Sequence, residues 1–296
     1  MSAVNGAVRV QSSALVRLLE APRYEVIPVN GIEEKVAALP RGATVTVTAS
    51  PRHGIARTID VSAHLAGRGY RVVPHLAARM IADRGQLERI VVHLEDAGIH
   101  EALVVGGDAS PPAGDYADAG DLLDALGRLP HSLARIGVGG YPEGHPLIPA
   151  AGLLEALRRK QRHADYITTQ LCFDADALAR WVLAIREAGV ELPIVVGLPG
   201  VVERRKLVEV SLKTGVGASL RYLAGHGRQI ATLARSRRYD PTPLALALAA
   251  RAEEADLGIG GVHLFTFNQV EASEAWVRPV IRMRRAVPKP PKPRPG

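Results

Sequence analysis

Short apolar runs rich in β-branched residues recur along this chain, each followed by a stretch with helical periodicity, and that alternation limits the fold more than any other feature. YEVIPV (24–29), TVTVTAS (44–50), RVVPHLA (71–77) and ALVVGGD (102–108) open the series, and RIGVGGY (135–141), YITTQLC (166–172), PIVVGLPG (193–200) and GVHLFTFN (261–268) complete it. Strands that are apolar almost throughout belong to a parallel sheet covered on both faces. Parallel neighbours need crossover connections, which the helical stretches at 32–39, 59–67, 86–98, 121–129, 152–164 and 174–189 supply. Gly98 and Gly189 read as helix stops and Asp174 as an N-cap. Residues 202–258 are too long for one helix and are read as three, and 271–282 as a helix on the bottom or flank. About eight such units in 296 residues favour an α/β fold of the single-domain (β/α)8 TIM-barrel type. A Rossmann sheet is the runner-up, but no G-x-G-x-x-G joins a strand to a helix: the VGGDAS glycines are misspaced and GIGGV precedes a strand. P-loop, nucleophile-elbow and H-E-x-x-H motifs are also missing from the sequence.

The expected organisation is a lead segment over 1–22, a barrel over 23–282 and a basic, Pro-rich tail over 283–296. Charge bears on the tail more than on the barrel. The formal net charge is +7, but residues 281–296 hold six basic side chains and no acid, leaving about +1 for the rest. With aromatics at 4%, that makes a poor nucleic-acid surface, so nucleic acid is not an expected partner. No apolar run approaches the ~18 residues of a membrane span, and Arg9, Gln11 and Arg17 interrupt the leading segment where a signal peptide would be continuously apolar. A cytoplasmic protein without membrane contact is expected. The single cysteine, Cys172, excludes an internal disulfide and reads as a small apolar filler of a strand. Nothing in the sequence sets the oligomeric state.

In a barrel of this kind, chemistry sits at the C-terminal ends of the strands and in the loops that follow. The polar residues there are Glu25, Thr48, His75, Asp108, Tyr141 with Glu143 and His145, Gln170, and Thr266 with Asn268. His75, Asp108, Glu143 and His145 are metal-ligand types, but no H-x-H pair lies on a strand and no compact ligand motif is present, so no metal is expected. A metal-dependent hydrolase stays as a minor alternative.

These residues fall in motifs that resemble the methylenetetrahydrofolate reductase family, and the likeness runs from about Tyr24 to Pro279. YEVIPVNGIEEKV resembles the family's acidic first strand F-E-F-F-P-P and its Glu-rich helix. VPHLA is similar to its P-H-L strand, and VVGGD to its L-R-G-D. IGVGGYPEGHP matches G-x-x-Y-P-E-x-H-P, and ITTQLCFD matches I-T-Q-x-x-F-D. LPGV and GGVHLFTFN are similar to P-G-I and G-x-H-F-Y-T-x-N. Y-P-E-x-H-P followed by T-Q-x-x-F-D is a specific signal, whereas either alone is weak.

The resemblance implies a TIM barrel that reduces the methylene carbon carried on tetrahydrofolate. Opening the substrate's five-membered ring needs a proton on a bridging nitrogen, giving an iminium whose carbon accepts hydride. A carboxylic acid shielded in a barrel mouth can supply that proton, and the resemblance assigns it to Glu25. It also implies that Asp108 binds the pterin and offsets developing positive charge. Gln170 would bond the pterin edge, donating and accepting through one neutral amide, and Phe265, at the family's Tyr, belongs on the substrate side. Thr48, His75, Tyr141, His145, Arg159 and Lys160, with Ala119, match the flavin side. That side has diverged: Gly106 replaces the Arg of L-R-G-D, and Thr48-Ala49-Ser50-Pro51 replaces T-Y-G-A. Losing the arginine removes a charge-assisted phosphate contact. The expectation is therefore direct hydride transfer from NADH, with NADPH as the other donor and FAD leaning absent. An FAD-dependent version of the same reaction and a non-catalytic folate-binding barrel are the alternatives.

Overall fold

The structure, a computed structural model, describes residues 14–203, 205–207, 238–254 and 257–286. Eight parallel strands close into a barrel in sequence order, β1 (Arg23–Val26), β2 (Thr44–Val47), β3 (Arg71–Ala77), β4 (Glu101–Val105), β5 (Arg135–Gly140), β6 (Tyr166–Thr169), β7 (Ile194–Pro199) and β8 (Ile259–Phe265). Closure is made where Arg23, Tyr24 and Glu25 pair with His263, Leu264 and Phe265. The helices are α1 (Ile32–Val36), α2 (Gly54–Gly67), α3 (Arg84–Asp96), α4 (Ala119–Leu126), α5 (Ala150–Lys160), α6 (Ala175–Glu187), α7 (Thr242–Glu254) and α8 (Val270–Ala286). The TIM-barrel expectation thus holds in architecture and strand order. Residues 1–13 of the lead segment, most of the expected helices of 202–258, and tail residues 287–296 lie outside the described residues. Among the described residues, no helix is long and apolar enough to cross a membrane.

The sequence sets the helix ends locally. Asp83, Asp118 and Asp174 each accept backbone N–H bonds from the first turn of the helix that follows, satisfying donors that have no partner within the helix. Gly98 and Gly189 follow α3 and α6 with φ of 67° and 81°, the left-handed stop expected of them. The main core lies between the outward strand faces and the helices, with Leu65, Leu76, Leu94, Leu122 and Leu198 fully buried.

Inside the barrel, Val73, Leu103, Tyr166 and Val195 form a separate apolar layer. Beneath it, Arg23 donates to the Tyr166 hydroxyl at 2.9 Å and pairs with Glu101 at 2.7 Å, while its guanidinium lies 4.5 Å from the Tyr166 ring centroid. Gly137 faces this ring: a Cβ there would lie 2.4 Å from Tyr166 Cζ, so no larger residue fits without moving the tyrosine. The bottom is therefore plugged, and the open end is at the strand C-termini.

Several strands stop sooner than the apolar runs do. β1 ends at Val26 because the Ile27 backbone is taken by a side chain: Ile27 N–H donates to Asn268 Oδ1 at 2.8 Å, and Asn268 Nδ2 donates to Ile27 O at 3.1 Å. Pro28 then offers no donor. β4 ends at Val105, before Gly107 turns with φ 85° so close to Ala77 that a Cβ would lie 2.8 Å from that residue's Cβ. Asp108, expected at the end of a strand, instead sits exposed in the loop beyond.

Candidate active site

Glu25, near the end of β1, has a side chain only 14% exposed in the barrel mouth. Its Oε2 shares a hydrogen bond with His263 Nε2 at 2.9 Å and lies 4.0 Å from His75 Nε2. Both imidazoles are buried, His75 from β3 and His263 from β8, with ring centroids 6.0 Å apart. Burial holds the His75 imidazolium down at about 4, against the opposing pull of Glu25, so this ring is neutral near pH 7. Phe265 packs edge-on to His263 at 4.8 Å and also meets Phe267. One metal-ligand-type atom from each of Glu25, His75 and His263 lies within 4.8 Å of the others.

The turn after β8 holds this acid in place. The Thr266 hydroxyl donates to the Glu25 carbonyl, and Asn268 N–H donates to Thr266 Oγ1 at 3.1 Å. Phe267 and Asn268 are the non-glycine residues with positive φ among the described residues, 49° and 62°. Such a conformation is strained for a bulky residue, and here the Asn268 bonds to Ile27 help to offset it.

A second group surrounds the ends of β4, β5 and β6. Tyr141 and His145 stack edge to face at 5.1 Å, and burial raises the Tyr141 phenol, with the Asp108 charge adding to it. His145 Nδ1 accepts from Leu147 N–H at 3.2 Å. Glu143 accepts from the N–H groups of Phe173 and Asp174, tying the β5 loop to the β6 loop. Gln170 uses its Oε1 to accept from Leu171 N–H at 2.9 Å, which leaves its amide NH2 as a donor. Thr48 sits just past β2, its carbonyl accepting from Thr58 Oγ1 at 3.2 Å.

Beside this group lies a cavity of about 500 Å³ between β5, α5 and α6, with Gly139, Tyr141, Ile148, Leu154, Lys160 and Trp181 in its wall. Ala119 and Asp118 also line it. Arg159 is committed to aspartates, 2.9 Å from both Asp121 and Asp124 and 3.6 Å from Asp118. Lys160 is buried and donates to the Gly139 carbonyl at 2.9 Å. Burial lowers its ammonium from 10.5 to about 8, opposed by Asp118. The unfolded chain then holds this proton more tightly than the folded one, so unfolding free energy should rise as pH climbs from about 8 to 10.5, by about 3 kcal/mol. Lys160→Met should remove that rise when urea midpoints are compared across the same pH range. An unchanged slope would show that the lysine is not the group responsible.

The fold thus brings Glu25, His75 and Phe265 together at the barrel mouth, and Tyr141, His145 and Asp108 above β4 and β5, with Arg159 and Lys160 at the cavity. His263 is a site residue to which the sequence reading gives no role, although it stands at the His of the G-x-H-F-Y-T-x-N motif. It precedes Phe265 by two positions on β8, and residues two apart share a strand face.

The family model described as methylenetetrahydrofolate reductase matches residues 28–220, more than half of the chain. Glu25, His263 and Phe265 lie outside that stretch. Methylenetetrahydrofolate reductase 2 of Saccharomyces cerevisiae is 32% identical over 113 residues, covering 34% of this chain and 19% of the yeast protein. Methylenetetrahydrofolate reductase (NADH) 1 of Arabidopsis thaliana is 31% identical over 165 residues, 48% of this chain and 28% of the plant protein. A Caenorhabditis elegans relative whose name carries NADPH is 32% identical over 116 residues, 36% of this chain and 17% of that protein. The aligned segments therefore span less than a third of the length of these relatives.

Proposed function

The chain belongs to the methylenetetrahydrofolate reductase family, and we propose that it reduces 5,10-methylenetetrahydrofolate to 5-methyltetrahydrofolate with hydride taken directly from NADH. The observation that carries this reading is the placement of Glu25, a carboxyl group shielded in the barrel mouth and hydrogen-bonded to a buried imidazole. Glu25 protonates a bridging nitrogen of the substrate, the ring opens to the iminium, and hydride on its carbon completes the methyl group. One proton and one hydride are consumed, and the oxidised nicotinamide leaves.

The chain's own groups divide that work. The Glu25–His263 contact can be made in either state of the acid, because a protonated carboxyl donates to Nε2 of the Nδ1–H tautomer and a carboxylate accepts from the Nε2–H tautomer. Asp108, exposed in the loop after β4, is placed in this reading against the pterin and the developing cation. The Gln170 NH2 bonds the pterin edge, and Phe265 packs against the substrate. Thr48, His75, Tyr141 and His145 border the hydride donor, whose nucleotide end is assigned to the cavity beside Lys160.

The residues present do not fit the family's flavin. Gly106 has no side chain to reach a phosphate, Arg159 is occupied by three aspartates, and Lys160 is buried and tied to a carbonyl. A resident cofactor held at nanomolar strength needs about 12 kcal/mol, whereas a donor that comes and goes at micromolar to millimolar strength needs about 4–8 kcal/mol. Losing charge-assisted phosphate contacts of about 1.5–3 kcal/mol each is tolerable for the second and severe for the first. The aspartates around Arg159 also disfavour the extra phosphate of NADPH. A cytoplasmic location is part of the same proposal, in keeping with Cys172 as a free thiol.

The absorbance spectrum of the purified protein tests the reading. The expected result is a colourless protein that oxidises NADH only when methylenetetrahydrofolate is present. Flavin bands would favour the FAD-dependent version, for which the retained His75, Tyr141 and His145 speak. Folate binding without turnover would leave a non-catalytic barrel.

A further inference from the structure

Among the described residues, buried polar atoms without a hydrogen-bond partner include His75 Nε2 and His263 Nδ1, on the two imidazoles beside Glu25, and Oγ1 of Thr46, the residue that pairs with Glu25 across β1 and β2. Buried polar atoms are seldom left so, and His75 Nε2, on a residue 6% exposed, points at Glu25 from 4.0 Å, too far for a hydrogen bond. Two imidazoles and one carboxylate are also a recurrent ligand set for zinc and for non-haem iron. Each of the three comes from a different strand of a closed barrel, β1, β3 and β8, so rigid backbone presents them to a common point. The nitrogen-rich set favours a borderline transition ion over magnesium or calcium.

The geometry needs little change. Ligand atoms around a tetrahedral zinc with bonds of about 2.0–2.2 Å stand roughly 3.3–3.5 Å apart. The observed separations straddle that value, 2.9 Å from Glu25 Oε2 to His263 Nε2 and 4.0 Å to His75 Nε2. A small rotation of the Glu25 side chain would lengthen the first and shorten the second by about half an ångström each, and a shift of the imidazoles would close what remains of the 4.8 Å within which all three ligand atoms lie.

We propose that Glu25, His75 and His263 form a binding site for one divalent ion of the zinc class, and that its occupancy silences the acid. The second half rests on the reductase reading above; the first does not. An ion bonded to Oε2 occupies the atom that would carry the proton, so the loaded protein would be inactive as a reductase and would recover on chelation.

Cobalt(II), titrated alone into the purified full-length protein, tests the site. The expected result is one saturable equivalent with the visible d–d absorption of a low-coordinate nitrogen and oxygen site, displaced by zinc. Glu25→Gln keeps the shape and removes the anionic ligand, and His75→Ala removes an imidazole. Each should weaken binding by more than the roughly 10–100-fold typical of outer-shell changes. His93→Asn, at an exposed position on α3, should leave binding unchanged and so controls for the other histidines. No saturable binding, or binding that survives both Glu25→Gln and His75→Ala, would overturn the site. Turnover that continues with one zinc bound would overturn the silencing. A protein that binds cobalt as described and never reduces the folate would refute the reductase reading and leave the site standing.

Discussion

Glu25→Gln is expected to lower turnover by about 10²–10⁴-fold, the range that a positioned general acid contributes, while leaving the protein folded. The amide has nearly the carboxyl's shape and can still share a hydrogen bond with His263, so the contact at 2.9 Å has a replacement. What it lacks is a proton to give. Folate affinity should therefore change little while kcat falls, which steady-state rates of NADH oxidation against substrate concentration would separate. A loss confined to KM would assign Glu25 to binding alone. Turnover within a few-fold of the original would remove it from the chemistry, and the proposed mechanism with it.

Arg23→Ala is expected to produce the largest loss of stability, about 3 kcal/mol, near the lower end of what breaking a buried ion pair costs. The Arg23 side chain is 11% exposed and its partner Glu101 is 21% exposed. Removing the guanidinium leaves the Glu101 carboxylate beneath the barrel core and strips the Tyr166 hydroxyl of its 2.9 Å donor. Arg135, 3.8 Å from the other Glu101 oxygen and 5.1 Å from the Tyr166 ring centroid, compensates in part and keeps the expected cost at the lower end. Urea unfolding measures it. Replacing both partners, Arg23→Met with Glu101→Leu, should recover most of the loss, because no charge is then buried alone. If the single and double variants are equally unstable, the defect lies in packing around Tyr166 rather than in the unpaired carboxylate. Turnover per folded molecule should persist in either case, since this cluster plugs the end of the barrel opposite Glu25.

The sequence is most informative where a local rule acts alone. Asp174 and Gly189 bound α6 through chemistry confined to one turn of chain, and both are legible in the residues themselves. Strand ends are less so. β1 stops at Val26 because Asn268, more than 240 residues away, takes over the Ile27 backbone. No local pattern in YEVIPV carries that information. Asp108 shows the same limit, as an apolar run ending in Gly-Gly-Asp does not reveal where the ladder ends and the loop begins.

The candidate site divides in the same way. Glu25, Asp108 and Gln170 are readable from motifs, as are the departures at Gly106 and Thr48–Pro51 from the family's pattern, because those are statements about which residue stands where. The commitment of Arg159 to Asp118, Asp121 and Asp124, and of Lys160 to the Gly139 carbonyl, requires α4, α5 and β5 to be packed together. Without that packing, two adjacent cations look ready for a phosphate.

By itself, the sequence determined the alternation of strand and helix, the eightfold barrel and the family, because period, capping and motif are properties of neighbouring residues. Only the tertiary structure decided that Glu25 lies between two imidazoles. His75 and His263 stand 188 positions apart on β3 and β8, and it is the closing of β8 onto β1 that turns three separate side chains into one buried cluster. Barrel closure is a long-range event whose geometry no local pattern encodes, and the chemistry of the mouth depends on it.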